Sequence, residues 1–350
     1  MIAYLPSPYP DELIYSALSR WYSKSGYLKY TFAAEKLYMK KTNKPSIEFI
    51  NRFTPEALEL ITREIPYAEI IQNHTMIPYY IRFLNRGKRK QAVHKILCQD
   101  ENYYIALKIP KARKKNIRYL RYCPLCVEAD RECYGETYWH RAHQLTGCNI
   151  CAEHSCQLVS SRIQITSIGS PAFFTAEETI PCKEPAIFSK NELEYQLAQY
   201  VVRVFQAELD FETDIEIGDF LQFKMEGTKY LSQRGKQKRF SLLYQDLLKY
   251  YGELATGLYE AWKLEKILTS DRINTYDICL IAMFLEIPVA ELVHMKLPEQ
   301  RQYQKFDATV KVLHEQGLNY RQVAEQMQAS YDVVKSIGEG NYGRKGGRGR

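Results

Sequence analysis

The residues with the most chemistry in this chain carry sulfur and imidazole. Cys123-Pro124-Leu125-Cys126 is followed, after 24 residues, by Cys151-Ala152-Glu153-His154. Two residues between ligands let one tight turn aim both side chains at a single ion, and two such turns complete a tetrahedron. Thiolates suit Zn²⁺ and offset much of its charge. Four protein ligands leave no position for water, which makes such a zinc site structural rather than hydrolytic. Binding the ion contributes about 10–16 kcal/mol of apparent folding free energy, enough to hold together a segment poor in aliphatic residues.

The chain has nine cysteines, six of them between Cys123 and Cys156, while Cys98, Cys182 and Cys279 stand apart. A second zinc could use Cys133, His140, His143 and Cys148, in the order C-x6-H-x2-H-x4-C. Alternatively, His140 and His143 only hydrogen-bond within the fold, and Cys156 is left over in either case. The opening Met1-Ile2-Ala3-Tyr4-Leu5-Pro6 has no basic start followed by an apolar stretch, so a secretory signal is not expected. The expected address is the cytoplasm, where clustered cysteines point to metal more than to disulfides. No run of 18 apolar residues occurs, which predicts no membrane span.

The 350 residues allow two or three domains, and 45% hydrophobic with 25% charged residues is the composition of a folded globular chain. Net charge is +7, which permits a nucleic-acid partner without demanding one. The excess is uneven. From Asn102 to Arg121 there is no acid, while Lys108, Lys111, Arg113, Lys114, Lys115, Arg118 and Arg121 alternate with Tyr103, Tyr104 and Tyr119. This stretch reads either as a solvated charged face or as a surface for phosphates. Lys111, Arg113, Lys114, Lys115 and Arg118 are the candidate contacts.

A second candidate lies near the C-terminus. Leu318 to Met327 reads as a helix, Gln328-Ala329-Ser330 as a turn, and Tyr331 to Ile337 as another helix, with Thr309 to His314 supplying a third. Ala324, Met327, Val334 and Ile337 suit the inner face. This is the pattern of a helix-turn-helix, whose second helix enters the major groove; Arg321, Ser330, Tyr331 and Lys335 are its candidate DNA contacts. The competing reading is a plain three-helix packing unit or a protein-docking surface. A weaker pair at 275–296, with Pro288 opening its second helix, reads as core. No internal repeat at a solenoid period is visible.

The rest of the chain positions these features. Pro10-Asp11-Glu12 opens a helix carrying Leu13, Ala17, Leu18 and Trp21, and Thr54-Pro55-Glu56 opens another. Arg162 to Thr166 alternates as a strand. Ser189-Lys190-Asn191-Glu192 reads as a capping box for a helix with Leu193, Leu197, Val201 and Val204 on one face. Helices are expected over roughly 216–265 and 275–296. The expected fold is mainly α: an N-terminal helical domain (1–121), a zinc-stapled segment with short strands (122–188), a helical domain (189–300), a helix-turn-helix (301–338) and a basic Gly-rich tail (339–350). There is no G-x-x-x-x-G-K-[ST] loop, G-x-S-x-G elbow or H-E-x-x-H, and no βαβ pattern frames a carboxylate trio. The residues therefore predict a binding protein rather than an enzyme.

Four runs together resemble the TniQ/TnsD family of transposon target-selection proteins. They are Pro8-Tyr9-Pro10-Asp11-Glu12-Leu13-Ile14-Tyr15-Ser16-Ala17-Leu18-Ser19-Arg20, then Tyr122 to Cys126, then Tyr134-Gly135-Glu136-Thr137-Tyr138-Trp139-His140-Arg141-Ala142-His143-Gln144 followed by Cys151 to His154. The resemblance covers roughly 1–160 and is weaker across the helical remainder. It implies a non-catalytic protein that recognises attachment-site DNA, or docks on an RNA-guided CRISPR effector complex. Such a protein recruits an AAA+ ATPase regulator, which brings in the transposase. It also implies that Cys123, Cys126, Cys151 and His154 hold zinc; Cys133 and Cys148 depart from the family pattern. The alternative is a zinc-containing helix-turn-helix transcription regulator, and a metal-dependent nuclease is a third reading. The sequence leaves room for a homodimer.

Overall fold

The computed structural model describes residues 4–40, 44–100, 102–107, 117–165, 172–232, 237–255, 261–269 and 274–340. The protein is mainly helical, and two strands form among the described residues. The N-terminal part runs through α1 (Ile14–Lys24), α2 (Tyr30–Leu37), α3 (Pro55–Ile61), α4 (Tyr67–His74), α5 (Ile77–Ile81), α6 (Arg86–Leu97) and α7 (Tyr103–Ala106). Thr54 caps α3 as its type and the following proline predict: its Oγ1 accepts the Ala57 N–H at 3.2 Å. The first helix starts later than the sequence suggests. Asp11 has φ +56 and α1 begins only at Ile14, because both acids expected in its first turn hold other partners.

β1 (Tyr119–Tyr122) leads directly into α8 (Pro124–Tyr134). Gly135 stops α8 at φ +75, a left-handed conformation that glycine adopts without a Cβ clash. β2 (Val159–Gln164) returns antiparallel to β1, with Tyr122 opposite Val159 and an irregularity between Tyr119 and Arg121. α9 (Ala176–Thr179) follows, then α10 (Glu192–Gln206). The cap of α10 is Asn191, whose Oδ1 accepts the Glu194 N–H at 3.2 Å. Ser189 is not the cap: its N–H bonds the Ser155 carbonyl at 2.8 Å, so the chain there is still pinned to the cysteine-rich segment.

α11 (Ile217–Lys224), α12 (Phe240–Tyr251), α13 (Ala261–Thr269), α14 (Thr275–Phe284) and α15 (Val289–Val293) complete the body. One connected apolar cluster includes Leu13, Trp139, Val201, Leu280 and Met295. This cluster draws on residues from both sides of positions 121 and 188. The apolar faces on either side of them are buried against each other. The last unit is different. α16 (Gln302–Glu315), α17 (Tyr320–Gln326) and α18 (Tyr331–Gly338) close around their own core of Val310, Val323, Ala324, Val334 and Ile337. Arg301 anchors it to the body, donating from Nε to Glu226 Oε1 at 2.7 Å.

Ile337→Ala removes a side chain from that small core and should cost about 2–5 kcal/mol locally. Hydrogen exchange should show lost protection confined to 302–338. Loss spreading into α10 or α14 would contradict the separate core.

Candidate metal centre

Cys123 leaves β1 and becomes the N-cap of α8, with Pro124 as the first helical residue. Its Sγ accepts the Cys126 N–H at 3.4 Å, the tight turn that two intervening residues permit. The second half is a loop. The Cys151 N–H bonds the Cys156 carbonyl at 2.8 Å and the Ser155 N–H bonds the Cys151 carbonyl at 3.0 Å. Ser155 takes φ +53 to close this loop. Cys156 is bridged in turn to Phe188, on the strand-like approach to α10.

These turns bring four ligand atoms together. Cys126 Sγ lies 3.8 Å from Cys151 Sγ. His154 Nδ1 lies 3.5 Å from Cys123 Sγ, 3.3 Å from Cys126 Sγ and 3.7 Å from Cys151 Sγ. With metal–sulfur bonds of about 2.3 Å and a metal–nitrogen bond of about 2.0 Å, tetrahedral edges are roughly 3.8 Å between sulfurs and roughly 3.5 Å from sulfur to nitrogen. The observed edges match. Cys123, Cys126 and Cys151 are buried and His154 is half-buried, so the four can hold one metal ion away from solvent. The thiols share protons: S–H donation, first from Cys126 and then from Cys151, lowers the Cys123 pKa, and the same contact with Cys123 raises that of Cys126.

The structure does not gather the other candidate ligands. Among the described residues, the cluster of Cys123, Cys126, Cys151 and His154 is the one group of three or more that could hold an ion. Cys133 is exposed near the end of α8, and Cys148 is buried within the main core. His140 Nε2 bonds Asp130 at 2.9 Å, and its ring stacks on Tyr138. Burial opposes charge on His140, but the Asp130 hydrogen bond and carboxylate outweigh it and raise its pKa. His143 is buried, and burial pushes its pKa down to about 4. Its Nε2 faces Cys151 Sγ at 4.0 Å, beside the cluster rather than in a separate one. Cys156 went unused in the sequence reading, yet its Sγ lies 3.2 Å from Cys123 Sγ, outside the four-ligand set.

Spacing gave no hint of the junction beside this centre. Glu12 has no solvent exposure. Its carboxylate accepts Arg20 Nε at 3.0 Å and Nη2 at 2.8 Å, and the Tyr9 N–H at 2.8 Å. Arg20 continues to Glu136 at 3.2 Å, where Lys24 also binds at 3.0 Å. Next to it, Asp11 accepts from Arg141 Nε at 3.1 Å and from the Ala142 N–H at 2.9 Å. The Leu13 N–H bonds the Trp139 carbonyl at 3.0 Å, and the Trp139 N–H bonds Ser16 Oγ at 3.0 Å. The opening run and the run from Tyr134 to Gln144 are thus two halves of one joint. Polar residues in an otherwise helical apolar pattern were the available signal.

The candidate nucleic-acid contacts divide by place. Lys111, Arg113, Lys114 and Lys115 lie outside the described residues. Arg118 is committed to Glu48, with Nη2 at 2.7 Å and Nη1 at 3.0 Å, and also donates to the Gln144 carbonyl. Arg121 is turned inward onto the Cys148 and Leu145 carbonyls at 2.5 and 2.7 Å. Arg321, Ser330, Tyr331 and Lys335 are exposed together on α17 and the start of α18, with the Arg321 guanidinium 5.9 Å from the Tyr331 ring centre.

Comparison with known proteins meets this geometry directly. The TniQ family model matches residues 3–158, a span holding both halves of the joint and all four ligands. Residues 3–158 form a TniQ domain. The chain is also similar to the transposon Tn7 transposition protein TnsD of Escherichia coli, 27% identical over 164 residues that cover 45% of this chain and 31% of that protein. The chain thus aligns with less than a third of that relative's length. No helix among the described residues is long and apolar enough to cross a membrane. The TniQ domain stops short of α10, so its core is completed by helices that lie beyond it.

Cys126→Ser should strip the metal and loosen 123–156. Metal content measured on purified protein should fall from one ion per chain toward zero; full retention with normal melting would refute the ligand assignment. Arg20→Ala leaves Glu12 buried without its cation, which costs about 3–5 kcal/mol. Urea unfolding should show that loss, and the double change Glu12→Gln with Arg20→Met should recover much of it.

Proposed function

We propose that this protein selects target sites for DNA transposition: it binds DNA and recruits an AAA+ ATPase regulator, and does no chemistry itself. The observation that carries the reading is the TniQ domain with its four-ligand centre, in a chain that is similar to TnsD. The ion is zinc, since three thiolates and one imidazole in a tetrahedron are a soft, closed donor set. Cys123, Cys126, Cys151 and His154 would hold it, and it would fix the fold of the segment between β1 and α10. Three of the four ligands are buried, so the centre would staple the chain.

Within this reading, α17 and α18 form a helix-turn-helix. α18 presents Ser330, Tyr331 and Lys335 to the major groove, and Arg321 approaches a phosphate. Asp332, also exposed, repels phosphate but can accept from a cytosine amino group. Lys335 pairs with Glu339 at 3.8 Å, both exposed, a pairing that a phosphate readily replaces. Lys111, Arg113, Lys114 and Lys115 add non-specific phosphate contacts. Docking on an RNA-guided effector is the other targeting route that TniQ proteins offer.

Arg321→Glu with Lys335→Glu should lower duplex affinity at least about tenfold and flatten the salt dependence by roughly two units of slope, since each phosphate contact contributes about 0.9. Capture of a TnsC-like AAA+ ATPase should be unchanged in that variant. Unaltered DNA binding would remove α18 from the interface, and failure of wild type to capture the ATPase would favour a transcription regulator. Nicking of supercoiled DNA in Mg²⁺ by the pure protein would overturn the non-catalytic reading.

A further inference from the structure

Three thiolates outweigh a divalent ion, so the filled centre carries net negative charge. Buried charge of that kind is held by hydrogen-bond donors to the ligand atoms. Cys123 Sγ has the Cys126 N–H at 3.4 Å. Around Cys151 Sγ lie Cys126 Sγ at 3.8 Å, His154 Nδ1 at 3.7 Å and His143 Nε2 at 4.0 Å. The first two give their lone pairs to the ion as fellow ligands and cannot donate to Cys151. His143 is what remains among the described residues. It lies outside the set of four and is itself buried.

The backbone holds this ring in place from both sides. His143 sits in the short turn Ala142–Gln144. Ahead of it, Arg141 Nη1 donates to the Gln72 and Thr75 carbonyls at 2.6 and 3.2 Å, and the Ala142 N–H goes to Asp11 Oδ2 at 2.9 Å. Behind it, Gln144 Nε2 bonds the Arg121 and His140 carbonyls at 2.9 and 2.8 Å. The His140 ring, itself held by Asp130, lies 4.7 Å from the His143 ring. Within this frame Nδ1 of His143 has no partner, and Nε2 points at Cys151 Sγ. An apolar side chain would fill the same place without a lone nitrogen, so packing alone does not account for a histidine. A metal-bound thiolate only accepts, which puts the ring proton on Nε2 and leaves Nδ1 as a bare lone pair. Charge-assisted hydrogen bonds are shorter than neutral ones, so ionising Cys151 closes the 4.0 Å contact.

We propose that His143 is a positioning residue of the metal centre: its Nε2–H donates to the Cys151 thiolate, orienting that ligand and offsetting part of its charge. The inference rests on the reading that Cys123, Cys126, Cys151 and His154 hold zinc. It gives the turn after Trp139 a second task. Asp11 and Arg141 fix the turn, the turn fixes His143, and His143 steadies Cys151. The N-terminal segment and the metal centre are thereby coupled through one imidazole.

The test uses the full-length protein. His143→Phe keeps a ring in place and removes the donor, while His143→Gln sets an amide N–H near the lost Nε2–H. Chelator competition should show zinc held about 10–100-fold less tightly by His143→Phe, and near the wild-type value by His143→Gln. With cobalt in place of zinc, the sulfur-to-metal charge-transfer band of His143→Phe should move to longer wavelength, because a thiolate without its donor gives up an electron more easily. The ligand-field bands should keep their tetrahedral pattern. Weaker binding with the charge-transfer band in place and no recovery in His143→Gln would make the ring a space-filler and overturn the inference. Unchanged affinity and band in His143→Phe would overturn it too, and altered ligand-field bands would make His143 a ligand instead. Wild type loaded with NMR-active cadmium gives an answer that needs no variant. Scalar coupling between the metal and the His143 Hε2 proton is expected across the N–H···S bond, and its absence would overturn the inference while leaving the four ligands intact. Wild type that holds no metal would overturn the ligand assignment itself, and this inference with it.

Discussion

A carboxylate with no solvent exposure has to be matched by a cation inside the protein, and Glu12 is such a carboxylate. Burial raises its pKa, while the bidentate bonds from Arg20 pull the other way and keep a charge there useful. The cost of burying this pair is recovered only where the geometry is complete. Here it is: Arg20 lies over the Tyr9 ring at 4.0 Å and reaches Glu136, and His74 Nδ1 donates to the Glu12 carbonyl at 2.8 Å. One residue thereby fixes α1, α4 and the loop after α8 against one another. The candidate metal centre begins at the opposite end of α8, at Cys123.

The candidate metal centre and the core form one mechanical unit through α8. α8 begins at a ligand, Cys123, and ends one residue before Glu136 enters the ion-pair network, with Gly135 making the turn. Arg131 on the same helix binds Glu177 at 3.0 Å and reaches the Ile180 carbonyl. The loop of Cys151 to Cys156 is stitched to Phe188 and Ser189, and so to the start of α10. An ion held there sets where α10 begins. Since α10 closes the pair α14 and α15, the influence of the centre extends from the TniQ domain into the helical body. The C-terminal unit, with its own small core and the Arg301–Glu226 tether, is the part least dependent on this chain of contacts.

Much of the candidate site is legible in the sequence because ligand spacing is a local property. Cys-x2-Cys and Cys-x2-His each demand one turn, and a turn is specified by the residues within it. The same holds for Thr54 before Pro55 and for the inward set Ala324, Val334 and Ile337. Residues whose role depends on a distant partner were legible only as types. Asp11 and Glu12 resemble first-turn acids of a helix, yet Arg141 and Arg20 claim them. Arg118 resembles a phosphate contact, yet Glu48 lies beside it. His140 and His143 have the spacing of ligands, but Asp130 takes one and the core encloses the other.

The sequence alone determined the helical character, the four clustered candidate ligands and the two C-terminal helices, since each is written in short-range periodicity, capping and spacing. Tertiary structure decided which charges face inward, because a side chain's solvation depends on what the rest of the chain packs against it. It also gathered one apolar cluster from residues on both sides of positions 121 and 188. Contacts between residues far apart in the chain, such as the Leu13 N–H on the Trp139 carbonyl, leave no mark in local spacing.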